Sequence, residues 1–318
     1  MNETMQRIAR VIENVERVVV GKRQEIELSL VALFASGHVL LEDVPGVGKT
    51  MLVKAIARSL GADFKRIQFT PDLLPSDVTG VSIYNQKTQQ FEFRPGPIMA
   101  NVVLADEINR TSPKTQSALL EALEEGSVTI EGKSLVLSKP FFVMATQNPV
   151  EYAGTYPLPE AQLDRFLFRL QLGYPKPDEE LDVLKRLEKQ HPIQELSPVM
   201  ETEEVIQLQE EIKDVFVEDN VKAYIVEIVN LTRKHQKVEL GVSPRGSIAM
   251  MKAAQAYAMI QGRDYVIPDD IKTLAPFALS HRLILTAEAK MSGTDHEEII
   301  HDVLQQAKVP VIRKELLT

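Results

Sequence analysis

The run E-D-V-P-G-V-G-K-T, Glu42 to Thr50, constrains this chain more than any other stretch. It follows the apolar segment Gly37-His38-Val39-Leu40-Leu41 and opens the helix-like segment Met51–Arg58. A buried strand, a glycine-rich turn and a helix start, in that order, build a phosphate cradle. Gly46 and Gly48 let the backbone curl until several N–H groups point at one spot. The helix start adds a partial positive charge there, and Lys49 adds a full one. Thr50 offers a hydroxyl suited to Mg²⁺. With Pro45, Val47 and Met51 these residues form the expected nucleotide-binding segment. The general pattern G-x-x-x-x-G-K-[ST] puts glycine at the position that Asp43 holds here.

Shorter signals place this segment in an α/β core. Apolar runs His38–Leu41, Phe64–Phe69, Val102–Ala105, Phe141–Ala145 and Phe166–Leu170 alternate with helical patterns. Such runs suit strands covered on both faces, as in a parallel five-stranded sheet flanked by helices. Residues 3–20 read as an amphipathic helix, and a second helix covers about residues 24–36. Ser112, Pro113 and Gly126 punctuate a helix over 113–125. Two segments break the alternation and read as hairpins: Val81–Asn85 with Gln89–Phe93, and Ser127–Ile130 with Lys133–Leu137. After Leu172 the texture changes. Gly173-Tyr174-Pro175-Lys176-Pro177-Asp178 reads as a hinge, and the remainder is helical in pattern. The expected division is an α/β core over 1–172 and a small all-helical lid over 173–318.

Composition narrows the chemistry. A chain of 318 residues without cysteine excludes disulfides, thiolate zinc sites and thiol catalysis. The six histidines show no pair at ligand spacing within a helix turn, so packing roles are expected for them. No apolar run approaches bilayer length, and the polar start Met1–Gln6 leads to the expectation of a cytoplasmic protein. A net charge of −9 weighs against broad nucleic-acid binding, which rests on a basic surface.

Four further motifs carry candidate chemistry. Val102–Ala105 ends in Asp106-Glu107. Carboxylates at the edge of a buried strand need water or a cation. A nucleotide-bound Mg²⁺ would satisfy Asp106, leaving Glu107 to orient or deprotonate an attacking water. Phe141–Gln147 ends in Asn148, which could hold that water or the terminal phosphate; Asn before Pro149 is equally ordinary turn chemistry. In Ser243-Pro244-Arg245, Arg245 falls in the first turn of a helix, where the dipole disfavours a cation unless a phosphate is near. An exposed Arg that tolerates the small cost reads equally well. Arg165 could stabilise a phosphate during transfer, and by itself reads as an ion pair with Asp164 or Glu160.

In this order the pieces resemble the AAA+ ATPases, and specifically the MoxR family. The most specific stretches are L-L-E-D-V-P-G-V-G-K-T, L-A-D-E-I-N-R, A-T-Q-N-P, G-T-Y-P-L-P-E-A-Q-L-D-R-F and S-P-R. The resemblance implies ATP and Mg²⁺ as cofactors, with Lys49 and Thr50 in Walker A and Asp106 and Glu107 in Walker B. It makes Asn148 sensor 1, Arg245 sensor 2 and Arg165 the arginine finger reaching the neighbouring subunit's nucleotide. Val19-Val20-Gly21 resembles the segment that lines the adenine, and the hairpins resemble insertions facing a ring's central opening. The implied protein is a hexameric, chaperone-like ATPase acting on protein clients with a von Willebrand factor A domain partner, to mature an enzyme or insert a metal. The rivals are a magnesium-chelatase-like ATPase subunit, a nucleic-acid motor and a non-hydrolysing scaffold.

Overall fold

In a computed structural model, residues 3–148, 154–188 and 191–310 are described. The chain opens with α1 (Glu3–Glu16) and α2 (Arg23–Phe34) and enters β1 (Val39–Glu42), which leads into α3 (Lys49–Ser59) and β2 (Phe64–Gln68). A short α4 (Pro75–Thr79) precedes the first hairpin, β3 (Gly80–Asn85) and β4 (Gln90–Pro95). Next come β5 (Val102–Asp106), α5 (Pro113–Glu125) and the second hairpin, β6 (Ser127–Ile130) and β7 (Lys133–Val136). β8 (Phe142–Gln147), α6 (Glu160–Leu163) and β9 (Phe168–Leu170) complete the core.

Five strands form one parallel sheet in the order β2-β5-β8-β1-β9. Every residue of β5 and β8 but the last is buried, because helices cover both faces. Apolar side chains of β5 divide between the two faces: Val102 and Leu104 join one hydrophobic cluster, Val103 and Ala105 the other. The parallel order brings the carboxyl ends of β5, β8 and β1 side by side, the usual crevice for a ligand in such sheets. The hairpins are separate two-stranded sheets, and the Ser82 hydroxyl of one donates to Glu131 of the other at 3.1 Å. The first exposes Val81, Ile83, Tyr84, Phe91 and Phe93.

After Gly173 the chain forms α7 (Pro177–Leu187), α8 (Thr202–Glu211), α9 (Asp219–Lys234), β10 (Val238–Leu240), α10 (Pro244–Ile260), α11 (Pro268–Leu279), β11 (Ile284–Leu285), α12 (Ala287–Met291) and α13 (His296–Gln306). This region is helical, as its pattern predicts, with one short antiparallel ribbon, β10 with β11, added. Strands of three and two residues are too short for a period of two to register in sequence. α1 ends at Glu16 rather than near residue 20, because the chain turns through Gly21 at φ +73°. The first helix of this region, α7, starts at Pro177, inside the segment read as a hinge, and ends at Leu187. One hydrophobic cluster runs from α1 and α2 across one sheet face into α9, α10 and α11, so the helical region shares a core with the sheet. Among the described residues, no helix is long and apolar enough to cross a membrane.

Candidate nucleotide site

The loop between β1 and α3 has the expected cradle. Gly46 and Gly48 take φ of +88° and +96°, in the left-handed region open to glycine. A Cβ built at either position meets nothing within 4 Å, so both face open space that a phosphate can fill. Lys49 begins α3 and Thr50 stands in its first turn. The Lys49 ammonium donates to the main-chain oxygen of Asp43 at 2.9 Å. Burial pushes its pKa below the usual lysine range, against the pull of Asp43, Asp106 and Glu107. Among the described residues Lys49 makes no direct carboxylate contact, so its ammonium remains available to a phosphate.

Asp43 explains its departure from glycine. Its two carboxylate oxygens accept from the backbone N–H of Val44 at 2.9 Å and of Gly173 at 2.7 Å. Gly173 opens the linker to the helical region, so the phosphate loop and that linker are tied by one buried side chain.

Asp106 and Glu107 end β5 beside the loop, and neighbouring side chains hold them. The Thr146 hydroxyl donates to Asp106 at 2.6 Å and accepts from the Glu107 N–H at 2.8 Å. Arg66 pairs with the other Asp106 oxygen at 2.5 Å. Glu107 sits at φ +60°, uncommon for a residue with a side chain. Its carboxylate accepts from Gln68 at 2.8 Å and from Arg110 at 3.1 Å. Asn148 follows β8, the strand between β5 and β1, and is buried. Its carbonyl accepts from the Asn109 amide at 3.4 Å, while Pro149 lies outside the described residues. Thr50 and Asp106 offer the oxygen donors that a hard cation such as Mg²⁺ takes.

An apolar cavity adjoins the cradle. Val18, Val19 and Val20 line it with Gly46, Val47, Gly48 and Met51 of the loop, and with Pro175, Val183 and Leu187 of the linker and α7. Gly21 does not line it. A Cβ at Gly21 would fall 2.2 Å from the Glu179 side chain, so this glycine serves a close approach between the chain after α1 and α7. Pro45 stands in the loop without lining the cavity.

Arg165 and Arg245 lie elsewhere, and together. Both guanidiniums bind Glu124 at 2.8 Å, one to each carboxylate oxygen. The expected partners of Arg165, Asp164 and Glu160, are not the ones it takes. The Leu167 N–H donates to the His38 carbonyl at 2.8 Å, and the His38 ring bonds the Leu123 carbonyl at 3.3 Å. These contacts set Arg165 and Glu124 level with His38, at the amino ends of the strands. From His38 to the phosphate loop is roughly 17 Å of strand, beyond the reach of an arginine side chain. Neither arginine therefore reaches Lys49 of its own chain. Sequence reading missed Arg66, Gln68, Glu124 and Thr146. Only the alternation of β8, which puts Thr146 on one face of the sheet two positions from the buried Met144, could have pointed to one of them.

Comparisons with known proteins agree with this architecture. The family model described as "ATPase family associated with various cellular activities (AAA)" matches residues 38–168, and that described as "AAA lid domain" matches 230–303. YeaC, an uncharacterised protein of Bacillus subtilis, is 67% identical over 96% of each chain. Chaperone MoxR1 of Mycobacterium tuberculosis is 44% identical over 96% of this chain and 83% of its own. The crystal structure of a Cytophaga hutchinsonii protein, provisionally assigned as an ATPase, superposes with a TM-score of 0.91 at 41% identity, covering 97% of this chain and 96% of that one. Matched by both models and 44% identical to Chaperone MoxR1 over nearly its whole length, the chain belongs to the MoxR family of AAA+ ATPases.

Proposed function

We propose that this protein hydrolyses ATP in a ring, hexameric as the family resemblance implies, and uses the cycle to remodel protein clients. The observation that carries this reading is the separation of Arg165 and Arg245 from Lys49 of the same chain. A hydrolysis site with its arginines at the opposite end of the sheet is incomplete within one subunit. Head-to-tail packing of copies around a ring would bring one subunit's amino edge to the next one's carboxyl edge.

In this reading the glycine cradle and Lys49 hold the phosphates, and the Val18–Val20 cavity takes the base. Thr50 and Asp106 would hold Mg²⁺, which when bound neutralises phosphate charge. Glu107 accepts the proton of the attacking water and Asn148 orients that water. Glu107 first leaves Gln68 and Arg110, which is cheap because these contacts are partly exposed. Arg165 and Arg245 of the adjacent copy stabilise charge on the transferred phosphoryl group. Residues 1–172 and 173–318 form the two working parts, hinged at Gly173. The client role rests on the relative named as a chaperone and on the exposed apolar residues of the first hairpin. A von Willebrand factor A domain partner and a cytoplasmic location belong to the same proposal.

Mixing variants tests it. Arg165→Ala subunits keep an intact site but donate Arg245 without Arg165; Glu107→Gln subunits donate both arginines but cannot activate water. Each alone loses turnover by about 10²-fold or more, and a mixture recovers a fraction of it. Phosphate release from the mixture no faster than from either variant alone would rule out catalysis across subunits.

A further inference from the structure

The amino edge carries two kinds of arginine–carboxylate contact, and they differ in burial. Arg282 is almost fully buried. Its guanidinium bonds the Asp164 carboxylate at 2.6 Å, and also the carbonyls of Asp164, Phe166 and Leu167. The other Asp164 oxygen accepts from the hydroxyl of Ser243, the N-cap of α10, at 3.2 Å. Asp164 thus bolts the segment carrying Arg165 to the helix start carrying Arg245. The two arginines sit on one frame, fixed by contacts that are largely buried.

Glu124 is different. Its side chain is 32% exposed, and those of Arg165 and Arg245 are 25% and 64% exposed. It stands in the last turn of α5 beside Glu125, with no basic residue there, where the helix dipole opposes a negative charge. Arg245 stands in the first turn of α10, with no acid there, where the dipole opposes a positive charge. Each charge is misplaced on its own helix and is stabilised by the other. A phosphate would suit Arg165, Arg245 and the N-terminus of α10 at once, with more charge and more acceptor oxygens than a carboxylate.

We propose that Glu124 is an internal stand-in for the neighbouring subunit's terminal phosphate: it occupies Arg165 and Arg245 in the free subunit and is displaced from both when an ATP-loaded copy docks. This rests on the reading that the arginines serve the adjacent site. Because Asp164 and Arg282 hold the frame, the exchange needs only the Glu124 side chain to swing away. ADP lacks the terminal phosphate, so after hydrolysis the arginines return to Glu124 and the interface loosens. Glu124 therefore holds docking weak until a triphosphate is present.

The test is assembly of the full chain, followed by sedimentation velocity across protein concentration, with Mg²⁺ and either the β,γ-imido analogue of ATP or ADP. Removing the competing carboxylate in Glu124→Gln lowers the assembly midpoint with the analogue by about tenfold, ~1.4 kcal/mol. Glu124→Ala, which also removes the charge, shifts it the same way. Adding Arg165→Ala to either variant abolishes the gain. A midpoint that is unchanged or higher in either variant overturns the proposal, since a merely structural Glu124 would weaken assembly when lost. Arg165→Ala alone separates the two readings. If it leaves both turnover and assembly intact, the shared-site reading falls with the proposal. If it impairs them while Glu124→Gln fails to tighten assembly, only the stand-in role of Glu124 falls.

Discussion

At the carboxyl edge of the sheet, Lys49 is partly desolvated and takes only a backbone oxygen as partner, beside a cradle with open space at Gly46 and Gly48. At the amino edge, Arg165 and Arg245 already share a carboxylate, on a frame locked by the Asp164–Arg282 pair. At one edge the cation has no carboxylate in bonding contact among the described residues, and at the other two cations hold a replaceable one. Isolated, the subunit is satisfied at the amino edge and receptive at the carboxyl edge. That asymmetry suits head-to-tail association, in which each edge completes the other.

The largest expected effect breaks the amino edge. Arg282→Leu leaves Asp164 with a charge and no guanidinium partner, in a site where that pair is 3% and 17% exposed. Breaking such a pair costs ~3–5 kcal/mol, measured as a lower urea midpoint at an unchanged slope. A loss under ~1 kcal/mol would mean that the frame is not held there. Next in size is the carboxyl edge. Lys49→Ala weakens binding of ATP by about 10²-fold, read by titration calorimetry, with folding stability nearly unchanged. Equal affinity in that variant would remove the difference between the edges.

The smallest effect sharpens the contrast through pH. His38 lies beneath Glu124, fully enclosed, with one ring nitrogen against the Leu123 carbonyl and the other accepting from the Val143 N–H at 3.1 Å. Both neighbours specify the neutral ring, and burial lowers its pKa to about 4. The folded pKa lies below the unfolded value near 6.5. The fold is therefore unpenalised above pH 6.5 and loses stability as pH falls from there toward 4. Between pH 7 and 5 the loss from this group is about 2 kcal/mol, and His281, buried with its pKa lowered as well, acts in the same direction. His38→Gln keeps a donor and an acceptor but does not titrate. The drop in urea midpoint from pH 7 to 5 should shrink in that variant; an equal drop would place the acid-sensitive group elsewhere.

Much of the carboxyl edge was legible in sequence because its parts are local. Glycines, lysine and threonine within five positions specify a turn and a helix start, and Asp106-Glu107 ends an apolar run. What holds those acids was not legible. Thr146 and Arg66 each meet Asp106 across a separation of 40 residues. Asp43 was visible as an exception, while its bond to Gly173 crosses 130 residues. Arg165 was read as a local ion pair, yet it takes Glu124, 41 residues away, in preference to its sequence neighbours. Asp164, meanwhile, is taken by Arg282 at a separation of 118.

By itself the sequence determined the local pieces: an alternating α/β core, a phosphate loop, a pair of acids at a strand end and a helical second part. Hydrophobic periodicity and turn chemistry act over a few residues, so they can be read along the chain. Only the tertiary structure decided which charges meet. Ion pairs depend on where distant helices end on a shared sheet, and packing of the whole core sets those positions. The same two arginines are compatible in sequence with serving their own nucleotide, and it is the height of the sheet between His38 and Asp43 that forbids it.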